Sequence, residues 1–326
     1  MGAVRNLSIS AFFGLCIVIT LIADNLDYLN ETFGNIGSKN QLGEVSQEFA
    51  NATFFSVGNS NKSMEVNSLK VRIQSSDGKI FLDKPFGSIM SSGELIKYQG
   101  DSGEVFPSKE QFNLFGNVKF QKPELLITGE KMMVFQKKQS AELIKNVQTR
   151  ARTKKGDKIK IRSKSAFFEG EKGVVRYDGA IKGNINFNNK EFSPPLLFQS
   201  ETLDYFLNSG QMNLKGMVKL NRDKVKLRSQ RGSIFLSRKN KTVSYFELSD
   251  DVRFSETFIA SNGESILRTG LSQKLEGFGF EKKLIFSGFP KVKQFDDLIQ
   301  GNTIVIRESD ELVEIINTNS KFKFNK

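Results

Sequence analysis

The chain has 326 residues, 38% apolar and 26% charged, so it is too apolar for a disordered chain and too polar for a membrane protein with many spans. It contains no His and a single cysteine, Cys16, which excludes His-dependent nucleophile systems, an internal disulfide and a Cys₄ metal site. The formal net charge of +12 predicts an anionic partner or surface. These counts disfavour an enzyme, and we expect neither a cofactor nor a bound metal.

The N-terminus carries an apolar run at residues 7–23, with Arg5 before it and acidic residues after it. At about 1.5 Å per residue a helix of this length reaches roughly 26 Å, close to the thickness of a bilayer core. The charge asymmetry predicts a cytoplasmic tail at 1–6, a transmembrane helix at 7–23 and a linker at 24–48, with everything after the helix in the periplasm. The alternative is a cleaved signal peptide, although Leu21 occupies the position where a cleavage site needs a small residue.

Beyond residue 48 the sequence alternates apolar residues with Lys or Arg. Residues 158–162 (KIKIR), 225–228 (VKLR) and 321–324 (KFKF) are examples. Period-2 alternation with one dry and one wet face is typical of half-buried strands, and turn residues recur between the runs. The chain is therefore predicted to be all-β.

A longer repeat runs through this region. A turn residue followed by an apolar residue that enters a strand recurs with Val118, Val147, Ile181, Val218, Val252 and Val292, at steps of 29, 34, 37, 34 and 40 residues. Between these anchors, apolar strands end in a small residue, at Ser163, Ser200, Ser229 and Ser261. Irregular repeats of this length predict stacked β-hairpins whose dry faces are buried only against neighbouring units.

These motifs resemble the OstA-like periplasmic components of lipopolysaccharide transport. The phrases 197–201 (LFQSE), 216–220 (GMVKL), 225–229 (VKLRS), 286–289 (FSGF) and 300–304 (QGNTI) resemble the LptA-like soluble bridge component. Residues 101–103 (DSG) and 112–120 (FNLFGNVKF) resemble the central hairpin of the LptC-like membrane-anchored component. The resemblance thus divides the chain into an LptC-like β-jellyroll at 49–188 and an LptA-like β-jellyroll at 189–326, fused in series.

The resemblance implies open, twisted, V-shaped β-jellyroll units in tandem, whose apolar groove holds lipid acyl chains away from water. Twelve inward apolar residues are the predicted groove lining: Val118, Phe120, Ile159, Ile161, Val218, Leu220, Val225, Leu227, Val252, Phe254, Ile304 and Ile306. The same residues are equally compatible with the core of a closed sandwich, because a lining residue and a core residue look alike in sequence.

Positive charge is densest at residues 150–164, which hold eight Lys or Arg and one Asp. Arg150, Arg152, Lys154 and Lys155 are the predicted contacts to anionic lipid. A solvated outer face is the alternative explanation of this cluster.

The resemblance implies an inner-membrane, single-pass protein that carries lipopolysaccharide from the inner-membrane ABC transporter toward the outer membrane, and so serves outer-membrane biogenesis. Its partners would be the transporter complex and a further bridge unit or the outer-membrane translocon, joined by edge-strand pairing near 321–324. Nucleic acid is not an expected partner. The alternative function is an anchored structural β-sandwich or solenoid scaffold, or an adhesin, without lipid conduction. A carboxylate-pair hydrolase is disfavoured, because the adjacent acids Asp250-Asp251 and Asp296-Asp297 would point to opposite faces of a strand.

Overall fold

A computed structural model describes residues 47–57, 63–74, 79–91, 94–135, 138–153, 156–188, 194–236, 243–260, 262–278, 282–307, 312–316 and 321–323. The strands in the first part are β1 Gln47–Val57, β2 Ser63–Ile73, β3 Ile80–Asp83, β4 Phe86–Ser91, β5 Glu94–Gln99, β6 Ser102–Phe106, β7 Gln111–Lys122, β8 Leu125–Phe135, β9 Ser140–Arg152, β10 Lys158–Glu169 and β11 Val174–Asn186. Those that follow are β12 Leu196–Phe206, β13 Gln211–Arg222, β14 Val225–Leu236, β15 Val243–Ile259, β16 Ser265–Phe278, β17 Lys283–Ser287, β18 Lys291–Gln294, β19 Asp297–Gln300, β20 Thr303–Arg307, β21 Val313–Ile316 and β22 Lys321–Lys323. The described chain is all-β, as the alternation predicted, with one short 3₁₀ turn at Pro107–Lys109.

The predicted N-terminal segments 1–6 and 7–23, and the linker up to residue 46, lie outside the described residues. Within the described ranges, no helix is long and apolar enough to cross a bilayer.

The described residues form two compact units. Unit 1 holds those of Met1–Pro123 and Lys131–Lys138, and unit 2 holds those of Glu124–Glu130 and Gln139–Lys326. The predicted domain boundary at residue 189 lies inside unit 2, between β11 and β12, which pair from Val174↔Phe206 to Ile185↔Leu196. The division into 49–188 and 189–326 stays a prediction about relatedness, and the compact units divide elsewhere.

In unit 2, β9 to β16 form a continuous antiparallel ladder in which each strand pairs with its neighbour in sequence. Long strands joined by short turns are the expected result of the alternating sequence and its Asn, Asp and Gly turns. The ladder then divides, because β16 pairs with β17 through 274–278 and with β18 through 268–271. One branch continues as β17–β20–β21, and the other continues as β18–β19–β22.

A line of β-bulges crosses this ladder. On every second strand, two consecutive residues adopt positive φ: Lys145-Asn146, Gly179-Ala180, Gly216-Met217 and Asp250-Asp251, followed by Gly288-Phe289 between β17 and β18. The register of each strand pair shifts at these residues. Bulges bend a strand and increase its twist, so bulges at one level fold the sheet along a line, which we call the crease. Unit 1 has its own pair at Gly116-Asn117.

The anchors of the sequence repeat lie at the crease. On β9, β11, β13 and β15 the residue after the positive-φ pair is a buried anchor. These anchors, Val147, Ile181, Val218 and Val252, lie directly opposite Ser163, Ser200, Ser229 and Ser272 on the next strand. The predicted strand end Ser261 lies outside the described residues.

Glycine starts several of these bulges because a neighbouring side chain lies across the backbone. At Gly216, where φ is +76°, a Cβ atom would lie 2.8 Å from the Glu201 Cβ and 2.6 Å from its Cδ. Left-handed conformation and close approach both favour Gly here.

The crease divides the sheet of unit 2 into two halves. Half A comprises residues 140–144, 165–169, 174–178, 202–206, 211–215, 231–236, 243–249 and 274–278 with β17, β20 and β21. Half B comprises residues 147–152, 158–163, 181–186, 196–200, 218–222, 225–229, 252–259 and 265–272 with β18, β19 and β22.

The two halves touch beside the crease. The rings of Phe254 on half B and Phe286 on half A pack edge to face, with centroids 5.2 Å apart. A Cβ on Gly232 of half A would lie 3.3 Å from a methyl group of Val218 on half B. The apolar sides of the two halves therefore face each other.

Candidate functional site: the creased apolar interior

The inner face of half B carries most of the predicted groove residues. Seven of them are at most 3% exposed there: Ile159, Ile161, Val218, Leu220, Leu227, Val252 and Phe254. Val225, at the β13–β14 turn, is half-buried. The structure thus brings these eight residues onto one face of neighbouring strands, as their alternation predicted, while their role as lipid contacts stays a prediction.

The remaining groove candidates lie elsewhere. Ile304 and Ile306 are buried on β20 of half A, where they face Phe286 and Leu284 across the strand pair. Val118 and Phe120 are buried in unit 1, on the part of β7 that follows the bulge at Gly116-Asn117. These two residues belong to the interior of a different unit from the other ten.

Sequence reasoning missed most of the apolar face of half A. That face holds Leu143, Phe168, Val175, Tyr177, Leu203, Tyr205, Met212, Leu214, Ile234, Leu248 and Leu275, all buried. The buried positions on the even-numbered strands shift by one residue at the crease: on β10, Ile159 and Ile161 are buried before it, and Ala166 and Phe168 after it. A search that continues one period-2 pattern through the strand therefore loses the second face. Treating the serine that ends each predicted phrase, Ser163, Ser200 or Ser229, as a break in the pattern would have found it.

Two phenylalanines lie flat over glycines of the adjacent strand. On half B, a Cβ at Gly183 would lie 2.5 Å and 2.7 Å from the two Cε atoms of Phe198, its cross-strand partner. On half A, a Cβ at Gly277 would similarly clash with Phe246. Because the glycines allow each ring to lie along its sheet, neither ring projects fully into the space between the halves.

A polar row interrupts the apolar face of half B away from the crease. Glu256, Arg268 and Gln294 lie side by side on β15, β16 and β18. The Arg268 guanidinium donates to Gln294 Oε1 at 2.7 Å and to Glu256 Oε2 at 3.4 Å, and lies 4.5 Å from the centroid of the Phe258 ring. Arg268 and Glu256 are 0% and 2% exposed, so the ion pair is part of the interior.

Four buried hydroxyl groups of unit 2 have no hydrogen-bond partner among the described residues: Ser140 Oγ, Thr149 Oγ1, Tyr177 Oη and Ser200 Oγ. Tyr177 on half A and Thr149 on half B face each other, yet neither completes a bond of normal geometry. Ser200 differs from Ser163, Ser229 and Ser272, which each donate to a backbone carbonyl two residues further on.

Burial governs how these tyrosines titrate. It raises the pKa of Tyr177 above the ordinary range, and it raises the pKa of Tyr205 to about 12, with a smaller contribution from the Glu124 carboxylate. Both phenols therefore stay neutral, which suits an apolar interior.

On the outer face of half A, basic side chains form ion pairs with acidic ones. Arg176 lies 2.9 Å from Glu169 and 3.5 Å from Asp204, and Lys274 lies 3.2 Å from Glu276. The Arg231 guanidinium bonds to Asp250 and holds the pKa of that carboxyl below its usual range. Asp250 and Asp251 are thus crease residues with arginine partners, Arg231 and Arg253, which gives no support to a hydrolytic carboxylate pair.

The outer face of half B is different, and we call it the basic face. Its outward strand positions carry Arg150, Arg152, Lys158, Lys160, Arg162, Lys182, Lys219, Lys226, Arg228, Arg253, Lys291 and Lys293. In the described parts of β9–β16 and β18 that belong to half B, no outward position holds an acidic residue. The predicted lipid contacts Arg150 and Arg152 belong to this face, whereas Lys154 and Lys155 lie outside the described residues.

Three strands have an unpaired edge in the described part of the chain. There, β1 of unit 1 pairs only with β2, β21 only with β20, and β22 only with β19. An open strand edge offers a row of backbone donors and acceptors to another strand. The predicted docking segment 321–324 coincides with β22 up to residue 323, and Phe324 lies outside the described residues.

No family model matches the chain, and no curated protein matches it. Among solved structures, the chain is similar to that of "LptH, the LptA homologous periplasmic component of the conserved lipopolysaccharide transport device from Pseudomonas aeruginosa". The sequence identity is 11%, the match covers 42% of this chain and 100% of that one, and the TM-score is 0.38. The transport activity in that description is a property of the Pseudomonas protein.

Proposed function

We propose that this chain is an inner-membrane-anchored periplasmic bridge component that carries lipopolysaccharide from an inner-membrane ABC transporter toward the outer membrane. One observation carries the proposal: a single β-sheet is folded along the crease so that two apolar faces look toward each other in unit 2. Such an interior suits acyl chains, while the polar parts of the same lipid remain in water.

The energetics favour a protein interior as the path. Each buried CH₂ group contributes about 0.8 kcal/mol, so one chain of about fourteen carbons would lose roughly 11 kcal/mol of burial on entering water. The side chains of half A and half B already bury one another, so a lipid enters by replacing contacts such as that between Phe254 and Phe286. Apolar contacts made by the lipid then substitute for those lost by the protein.

Unpaired strand edges support the proposed partners. Strand addition joins β-proteins through backbone hydrogen bonds without requiring a particular side chain. We assign the edge of β1 to the transporter side and the edges of β21 and β22 to a further bridge unit or the outer-membrane translocon. Energy for transport would come from the transporter's ATPase.

Photo-cross-linking in cells tests the proposal. A photoreactive residue replaces Val118 in unit 1 or Leu227 or Phe254 in unit 2, and Lys226, the exposed outward neighbour of Leu227, is the matched control. Lipopolysaccharide adducts at the inward positions that require ATP, with none at Lys226, would support a conduit through both units. Adducts confined to Val118 would restrict conduction to unit 1.

An anchored structural scaffold or adhesin is the second candidate, and the tight packing of the interior favours it. Eleven of the twelve predicted groove residues are at most 4% exposed, as in the core of a closed sandwich. The absence of adducts at every inward position, with the protein folded and present at normal levels, would favour this candidate and refute lipid conduction.

A further inference from the structure

We propose that the basic face of unit 2 is a docking surface for an anionic phospholipid membrane. This inference does not depend on lipid conduction through the interior, because it concerns the opposite side of half B. It rests on the arrangement of charge and on the exposed leucines among the charges.

The cations of the basic face lie in positions where they destabilise the sheet. Arg162 lies directly opposite Lys182, Lys219 opposite Arg228, and Arg228 opposite Arg253 on the next strand. Like charges directly opposite each other in a sheet are destabilising. Of the cations on the basic face, only Arg253 has an acidic partner among the described residues, Asp251 at 3.1 Å.

Half A shows that the same sheet can neutralise its outer face. There Arg176, Arg231 and Lys274 each lie against a carboxylate. The two halves are built from the same strands of β9 to β16, so the difference between their outer faces is specific to half B. An external anion would supply the charge that the basic face lacks.

Exposed leucines indicate a membrane rather than a soluble polyanion. Leu197 and Leu271 project from outward positions of half B and are 46% and 51% exposed. Leu271 lies directly opposite Arg253 on one side and Lys291 on the other. Apolar side chains among cations can enter the headgroup region while the cations meet anionic lipid.

The size of the face also fits a surface rather than a small ligand. It extends over nine neighbouring strands, from β9 to β16 and β18, which at about 4.8 Å per strand spans roughly 40 Å. Many weak contacts over such a distance would give membrane binding that falls steeply with salt.

The test uses the full-length chain in nanodiscs of zwitterionic lipid, mixed with separate vesicles and analysed by flotation. We expect the nanodiscs to float with vesicles of phosphatidylcholine and phosphatidylglycerol, but not with phosphatidylcholine alone, and to be released by about 0.5 M NaCl. The triple variant R162Q/K182Q/R228Q should weaken partitioning about 100-fold, since each cation near an anionic surface is worth about fivefold. The control R176Q/R231Q/K274Q removes the same charge from half A and should bind like the wild type.

A second variant separates a membrane from a soluble polyanion. L197Q/L271Q keeps every charge and should weaken vesicle binding about tenfold or more, while binding to heparin stays unchanged. Equal loss in both triple variants would show that net charge alone acts, and the proposal would be wrong. Unchanged vesicle binding by L197Q/L271Q would also overturn it, in favour of a polyanion site.

Discussion

Gly183→Ala should destabilise unit 2 far more than an added methyl group normally does. The new Cβ would lie 2.5 Å and 2.7 Å from the Cε atoms of Phe198 and closer still to its Cζ, whereas carbon atoms in contact are about 3.5–4.0 Å apart. The ring must therefore move by roughly 1.5 Å. Phe198 is 1% exposed, so its movement disturbs buried neighbours, and we expect a loss near the upper end of overpacking, about 3 kcal/mol.

Removing the ring should cancel this penalty. Phe198→Ala alone should cost about 3–5 kcal/mol through the cavity it leaves. In the double variant the alanine methyl occupies part of that cavity and meets no ring, so the total should be close to that of Phe198→Ala alone. The coupling energy between the two sites would then be about 3 kcal/mol.

Urea unfolding of the full-length chain measures these differences. The protein has no Trp, and tyrosine fluorescence reports on unit 2 through the buried Tyr177 and Tyr205. Gly129→Ala is the matched control, because its Cβ would meet neighbours only at 3.5 Å or more. Wild-type stability of Gly183→Ala, or additivity of the two changes within about 0.5 kcal/mol, would refute the reasoning.

Three further changes probe the crease and the interior by the same unfolding assay. Gly216→Ala should cost about 2–3 kcal/mol, because the left-handed conformation penalises a Cβ and the Glu201 side chain must move; a cost under about 0.5 kcal/mol would contradict this account. Tyr177→Phe should leave stability unchanged or raise it by about 1 kcal/mol, since it removes a buried hydroxyl without a partner, and a loss of similar size would instead mean that this hydroxyl is bonded in solution. Arg268→Met should cost about 3–5 kcal/mol, because it leaves Glu256 buried without its ion-pair partner. Combination with Glu256→Gln should recover much of that loss. Equal stability of the single and double variants would show that the pair is not coupled.

Local sequence patterns were enough to predict the strands, because the alternation of apolar and charged residues follows from the geometry of an extended backbone. Side chains on a strand point alternately to its two faces, so residues 158–162 had to place Ile159 and Ile161 on one side and three cations on the other. The anchor motifs were equally readable, because each pair contains Gly, Asn or Asp, the residues that most readily adopt the positive φ needed where the sheet bends.

The sequence by itself determined the all-β class, the spacing of the anchors and the apolar residues of half B, since each depends on residues close together in the chain. Only the tertiary structure decided what those elements build. The bulges fall at one level because strand pairing fixes the register between residues about 30 positions apart, and this alignment turns separate bends into one crease. The same pairing accounts for the one-residue shift in the buried pattern, because of which sequence reasoning missed the apolar face of half A. It also places Phe198 over Gly183 and brings cations from different strands together on the basic face. Such contacts join residues that no local pattern relates, so they follow from register and folding rather than from composition.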